Sequence, residues 1–119
     1  MSVGQSSLRR EGVAKLTGEA RYIDDITLDG MWHGKTVWSR IARGRIKSIS
    51  LKPEFDWSQI VVADYHDLPG KNYVALIEND QPLLVESEIR HFDEPILLLA
   101  AATKDLVNEA ARHVTIDSP

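Results

Sequence analysis

The chain has 119 residues, 43% hydrophobic and 27% charged, with a formal net charge of −4 and no cysteine. That length suits one globular domain with a true core, and the missing cysteine excludes disulfides, iron–sulfur ligation and a cysteine nucleophile. No apolar run approaches the ~20 residues that span a bilayer, and Met1-Ser2-Val3-Gly4-Gln5 opens without signal-peptide character, so the expectation is a cytoplasmic protein.

The charge is unevenly spread. Residues 1–52 carry ten Lys/Arg and five Asp/Glu, a net of +5, whereas residues 53–119 carry four and thirteen, a net of −9. Either the two halves compensate each other in the fold, or the basic half faces a partner.

Residues 1–30 are weakly patterned. Gly4, Gly12, Gly18 and Gly30 cut them into short pieces. Glu11 to Leu16 reads as one helical turn ended at Thr17-Gly18, where glycine tolerates a positive φ. Such a segment is expected to be extended and to pack along a core. Residues 31–39 are rich in strand formers, and Trp32, Gly34, Thr36 and Trp38 share one face by the period of two. Residues 45–51 read as a second strand, joined to the first by a hairpin-like loop over Arg40 to Gly44. Ile49 and Leu51 share a face while Ile46 falls on the other, which suggests a bulge near Lys47-Ser48 or burial on both faces.

Pro53 ends that strand, and Glu54 to Ser58 reads as a helical turn. Ile60 to Ala63 is a short apolar run expected to form a buried strand. Asp67-Leu68-Pro69-Gly70 and Asn79-Asp80-Gln81-Pro82 are turns, with a weak strand at 73–77 between them. Val85 to His91 sets Glu86 and Glu88 on one face and Val85 and Ile89 on the other. Pro95 opens Ile96 to Ala101, the most hydrophobic run, which suggests a central strand covered on both sides. Thr103 is a good N-cap, Asp105 suits the first turn, and Leu106, Val107, Ala110, Ala111 and Val114 form a helical stripe. Val114 to Ile116 is a last strand. The reading is α+β: a mixed sheet of short strands with one long C-terminal helix, about 103–113, packed on it.

Read without regard to family, the residues gather into no active site. Gly12 and Gly18 have neither dinucleotide-loop nor P-loop spacing. His91 with Asp93, or Asp64 with His66 and Asp67, could be drawn as metal ligands. No HExxH-like spacing or cysteine pair supports either, and both read better as surface side chains. Glu86 and Glu88 read as a solvated strand face rather than an acid/base pair. Arg40, Arg43, Arg45 and Lys47 form the densest basic cluster, beside Trp38. Basic residues next to an aromatic ring can hold single-stranded nucleic acid, but the chain is acidic overall and shows no RNA-binding motif. Contact with another protein segment and a solvated surface both remain open for this cluster. Trp32, Trp38 and Trp57 read as core or interface area rather than as a stacking platform.

Four blocks of sequence resemble a known family. Arg10 through Asp25 is similar to an R-x-D-G-x-x-K-V-T-G-x-A-x-Y-x-x-D opening. Gly30-Met31-Trp32-His33-Gly34, then Ser39, Ala42, Arg45 and Ile46, is similar to G-M-L-H-G followed by R-S-P-x-A-H-A-R-I. Ala63 through Asn72 resembles A-x-D-L-P-G-x-N. Asp80 through Leu84, with Ile89 through Ile96, resembles D-x-P-L-L-A and V-R-Y-x-G-E-P-V-A. The family is the molybdenum hydroxylases, the xanthine dehydrogenases and aldehyde oxidases, and the stretch is their α/β-hammerhead domain. The resemblance covers essentially the whole chain. The chain departs from the pattern at Trp38, Arg40, Arg43-Gly44, Asp93 and Leu97. Asp93 replaces a glycine, and if that position needs positive φ, Asp tolerates it better than most residues.

The resemblance implies a single hammerhead domain over 1–119, with residues 1–30 packed on its core and without the molybdopterin-binding domains. In such enzymes a molybdenum–pterin cofactor hydroxylates a carbon of an aldehyde or N-heterocycle, and electrons leave through iron–sulfur clusters and FAD. No catalytic, cofactor-binding or metal residue is carried over, so the chain alone is expected to be inactive and to serve structure and assembly. Its implied partners are the rest of the large molybdenum subunit and the iron–sulfur and FAD subunits, with neither nucleic acid nor membrane. Arg40, Arg43, Arg45 and Lys47 are the candidate contacts. The alternative is a free-standing protein-binding or adaptor domain of the same fold.

Overall fold

A computed structural model describes residues 3–74 and 77–118. The chain divides into two compact units, Met1–Met31 and Trp32–Pro119. In the first, Gly12–Thr17 forms a short helix, α1, that buries none of its residues. Gly18 ends it at φ 79, in the left-handed region the sequence had assigned to it. A 3₁₀ turn follows at Ile23–Asp25, where the Asp25 carboxylate accepts from the Tyr22 N–H at 3.0 Å.

Among its described residues the second unit holds seven short strands, one α-helix and two 3₁₀ turns. The strands are β1 (His33–Trp38), β2 (Gly44–Arg45), β3 (Ser48–Leu51), β4 (Val61–Ala63), β5 (Glu88–Ile89), β6 (Pro95–Ala101) and β7 (Val114–Asp117). Helix α2 runs Lys104–Arg112 between β6 and β7. The strands form three small sheets in place of one mixed sheet: β1-β6-β4, β2-β5 and β3-β7, each recorded ladder antiparallel.

Strand β6 is the hub, as its sequence suggested, because it pairs on both edges. Leu97, Leu99 and Ala101 are buried on the face that α2 covers. The other face is partly open, for Leu98 is 42% exposed, so the expectation of cover on both sides is corrected. An apolar run records only that no charge sits there; it does not count the layers above it. Thr103 caps α2 by accepting from the Leu106 N–H at 3.2 Å, and Val107 and Ala110 are buried on the predicted stripe. They pack against Leu99 and Ala101 in one core cluster. A second cluster joins Val85, Ile89, Ile96 and Leu97.

Other expectations fail for a common reason, which is that pairing partners are set by distant residues. No hairpin joins the first two strands: β1 pairs with β6, and β2 with β5. The break at Lys47-Ser48 is not a bulge but a switch between sheets, since β2 belongs to one ladder and β3 to another. The bulge falls elsewhere, between Val37 and Trp38 against β6. The shared face of Trp32, Gly34, Thr36 and Trp38 is mostly exposed; Val37, on the other face, packs into both clusters. The turn expected over 54–58 is a 3₁₀ turn at Trp57–Gln59. Strand β4 is an edge strand with Val61 52% exposed, not a buried one. In the weak strand at 73–77, Val74 makes an isolated bridge to Gln81, and residues 75 and 76 lie outside the described residues. No helix among the described residues is long and apolar enough to cross a membrane.

Candidate functional site

The basic cluster divides in the structure. Arg40 follows the end of β1 and, with Lys35, lines a groove beside that strand. Arg43 reaches Glu88 at 3.6 Å, and Arg45 stands opposite Glu88 in the β2–β5 ladder. Lys47 sits at the switch between sheets, its N–H donating to the Asp117 carbonyl at 2.8 Å. All four side chains are exposed. The Arg43–Glu88 pair links the basic half of the sequence to the acidic half, but both partners are well solvated, so it stabilises the fold little.

The other clusters are used up locally. Asp64 caps the 3₁₀ turn Tyr65–Asp67: its carboxylate accepts from the His66 N–H at 2.7 Å and lies 2.9 Å from His66 Nδ1. Asp67 in turn accepts from the Asp64 N–H at 2.9 Å. His91 is exposed, with Nδ1 2.9 Å from the Phe92 carbonyl and Nε2 4.0 Å from the Glu94 carboxylate. Glu86 is exposed and lines a shallow polar cleft with Glu88 and Arg90. Trp57 packs in the α2 cluster, next to Phe55, and donates its indole N–H to the Lys52 carbonyl at 2.8 Å. Trp32 and Trp38 stay 52% and 44% exposed. Among the described residues no three His, Asp or Glu side chains gather around one point. This donor set does not fit a metal, and no catalytic step is assigned to the chain's own residues.

The buried polar groups lie instead at chain corners. Ser39 and Glu94 are 1% and 2% exposed. The Ser39 N–H donates to the Glu94 carbonyl at 2.8 Å, and the Ser39 carbonyl accepts from the Asp93 N–H at 3.2 Å. The Glu94 carboxylate accepts from the Arg90 N–H at 2.6 Å, and the Ser39 hydroxyl donates to the Ile41 carbonyl at 2.8 Å. Asp93 stands at φ 60, the positive value its glycine-like position required. A second clamp is Asn72, whose amide donates to the Leu84 carbonyl at 2.7 Å and accepts from the Leu84 N–H at 3.0 Å. Reading by residue chemistry passed over Ser39, Asn72 and Glu94, because a buried or half-buried side chain bonded to backbone leaves no periodic mark. The signal that contained them was the motif blocks, the last three of which include one each.

Residues 17–118 match the family model for the aldehyde oxidase and xanthine dehydrogenase a/b hammerhead domain. The chain belongs to that family. It is 31% identical over 116 residues to the nicotinate dehydrogenase large molybdopterin subunit of Eubacterium barkeri, covering 97% of this chain and 27% of that protein. It is 29% identical over 120 residues to the xanthine dehydrogenase of Blastobotrys adeninivorans, covering 97% of the chain and 8% of the relative. Among solved structures, reconstituted CO dehydrogenase from Oligotropha carboxidovorans superposes with a TM-score of 0.85 at 25% identity, over 97% of this chain and 15% of that one. The chain thus spans about a quarter or less of the length of these proteins. Within the matched stretch, the Asn72 clamp and the Ser39–Glu94 lock tie chain corners beside short strands that have few ladder bonds of their own.

Proposed function

We propose that these residues serve as the hammerhead part of the large, molybdenum-binding subunit of a molybdenum hydroxylase, where they act in structure and assembly. The family match over residues 17–118 carries this reading. The short reach of the chain along its relatives supports it too, since the cofactor-binding work then falls to other segments. The chain supplies surface. Arg40, Arg43, Arg45 and Lys47 contact the rest of the subunit or the iron–sulfur and FAD partners, and residues 1–30 supply a second contact. The molybdopterin is held elsewhere, and the whole enzyme hydroxylates aldehydes or N-heterocycles in the cytoplasm.

Charge reversal at Arg43 and Arg45 in the intact enzyme tests the contact. Neither side chain is buried, so the chain itself should still fold, with only a small loss from facing Glu88 with like charge. Assembly should weaken, read as a loss of co-purifying subunits or of bound molybdenum. Undiminished assembly would remove the cluster from the contact.

A further inference from the structure

Strand β1 is an edge. It closes one side of the order β1-β6-β4, so among the described residues its ladder lies on one side only. Along an antiparallel edge, alternate residues turn their N–H and C=O groups outward. The adjoining space is a groove of about 740 Å³. Eight consecutive residues, Gly34–Ile41, line it. Val114 and Ile116 of β7 line it as well, with the buried Ile89 and Ile96. Strand β7 pairs with β3 and with no other strand among the described residues. Val37, Ile41, Val114 and Ile116 are all half-buried, so an occupant would complete their burial. Lys35 and Arg40 line the same groove, are exposed, and make no ion pair among the described residues. The other edge of the sheet, β4, has three residues.

We propose that this groove is a strand-addition site: an extended segment of a partner polypeptide, alternating aliphatic and acidic side chains, pairs with the free edge of β1. Its backbone extends the ladder, its aliphatic side chains cover the four half-buried residues, and its carboxylates meet Lys35 and Arg40. The site deepens the assembly reading above and rests on it for the source of the segment, another polypeptide of the hydroxylase.

The probe is a fluorescent seven-residue peptide of alternating valine and glutamate, titrated into the full chain and read by anisotropy. Saturable binding is expected, weaker by about tenfold when lysine replaces glutamate, because two exposed ion pairs are exchanged for repulsions. The variant K35E/R40E should invert that preference. N-methylation of alternate peptide amides should abolish binding to the unaltered protein, a readout that holds even if the variant folds poorly. Binding that ignores N-methylation, or no saturable binding at all, would overturn the proposal. Self-association of the chain with hydrogen-exchange protection at Gly34–Trp38 would give the groove to a second copy and overturn it as well. Arg43 and Arg45 do not line this groove, so their reversal tests the assembly reading separately.

Discussion

The two units handle apolar surface in opposite ways. In residues 3–31 the large apolar side chains are open: Leu8 is 93% exposed, Leu16 90% and Ile23 87%, and α1 buries nothing. In the second unit, Ile96, Leu99, Ala101, Val107 and Ala110 are each no more than 1% exposed. A helix of six residues is too short to hold itself in water, so α1 depends on its glycine cap and its neighbours in the chain. Helix α2 has nine residues and depends on a packed face. Apolar content alone does not make a core. Side chains must recur on one side of an element that has another element to meet.

Substitutions sharpen this contrast. The largest effect is expected for Leu99→Ala, a loss of about 2–5 kcal/mol by chemical denaturation, while Leu16→Ala stays within about 0.5 kcal/mol. Comparable losses at both positions would break the contrast. Next comes Glu94→Ala, which leaves the Arg90 N–H without its acceptor in a buried corner and should cost about 1–3 kcal/mol. Removing the α2 cap with Thr103→Ala should cost about 1 kcal/mol, visible as earlier exchange of amides in the first turn. Asp93→Ala should cost about 1 kcal/mol, because alanine keeps the Cβ at φ 60 but lacks the short polar side chain that offsets it, and Asp93→Gly, with no Cβ, should cost less than that.

The smallest effect is a pH dependence. The Ser58 hydroxyl, then the Ser58 N–H and the Gln59 amide, donate to the Asp56 carboxylate and hold its pKa below the ordinary 3.8. A depressed carboxylate stabilises the fold above 3.8 and loses that contribution as pH falls through the lowered value. Asp56 is fully solvated, so the gain is slight. Unfolding curves of Asp56→Ala and the unaltered chain should differ at neutral pH and converge in acid. Curves that stay apart at low pH would assign the difference to the turn rather than to the charge.

Legibility in the sequence followed the range of the interactions. Helix α2, its Thr103 cap, the β6 hub and the last strand were legible because their signals are local: a stripe, a cap residue, an apolar run. The cap at Gly18 was legible from glycine's tolerance of positive φ, and a positive φ at Asp93 was offered conditionally, from the glycine it replaces in the motif. The exchange of partners after Lys47 was not, because Gly44–Arg45 and Ser48–Leu51 find their ladders more than forty residues downstream. The exposure of Leu98 and Val61 was hidden for a related reason: an apolar side chain reads the same under a layer or beside an opening. At the candidate site, the basic cluster could be seen as a cluster. Its division, with Arg40 joining Lys35 along the β1 groove and Arg43 and Arg45 meeting Glu88, needed the fold.

On the proposed reading, these residues work as a built-in part of a molybdenum hydroxylase. The native size and molybdenum content of the species that carries them, isolated from its source with an antibody to this stretch, test it most directly. An assembly several times larger than this chain, with molybdenum bound, is expected. A metal-free monomer of 119 residues would contradict it.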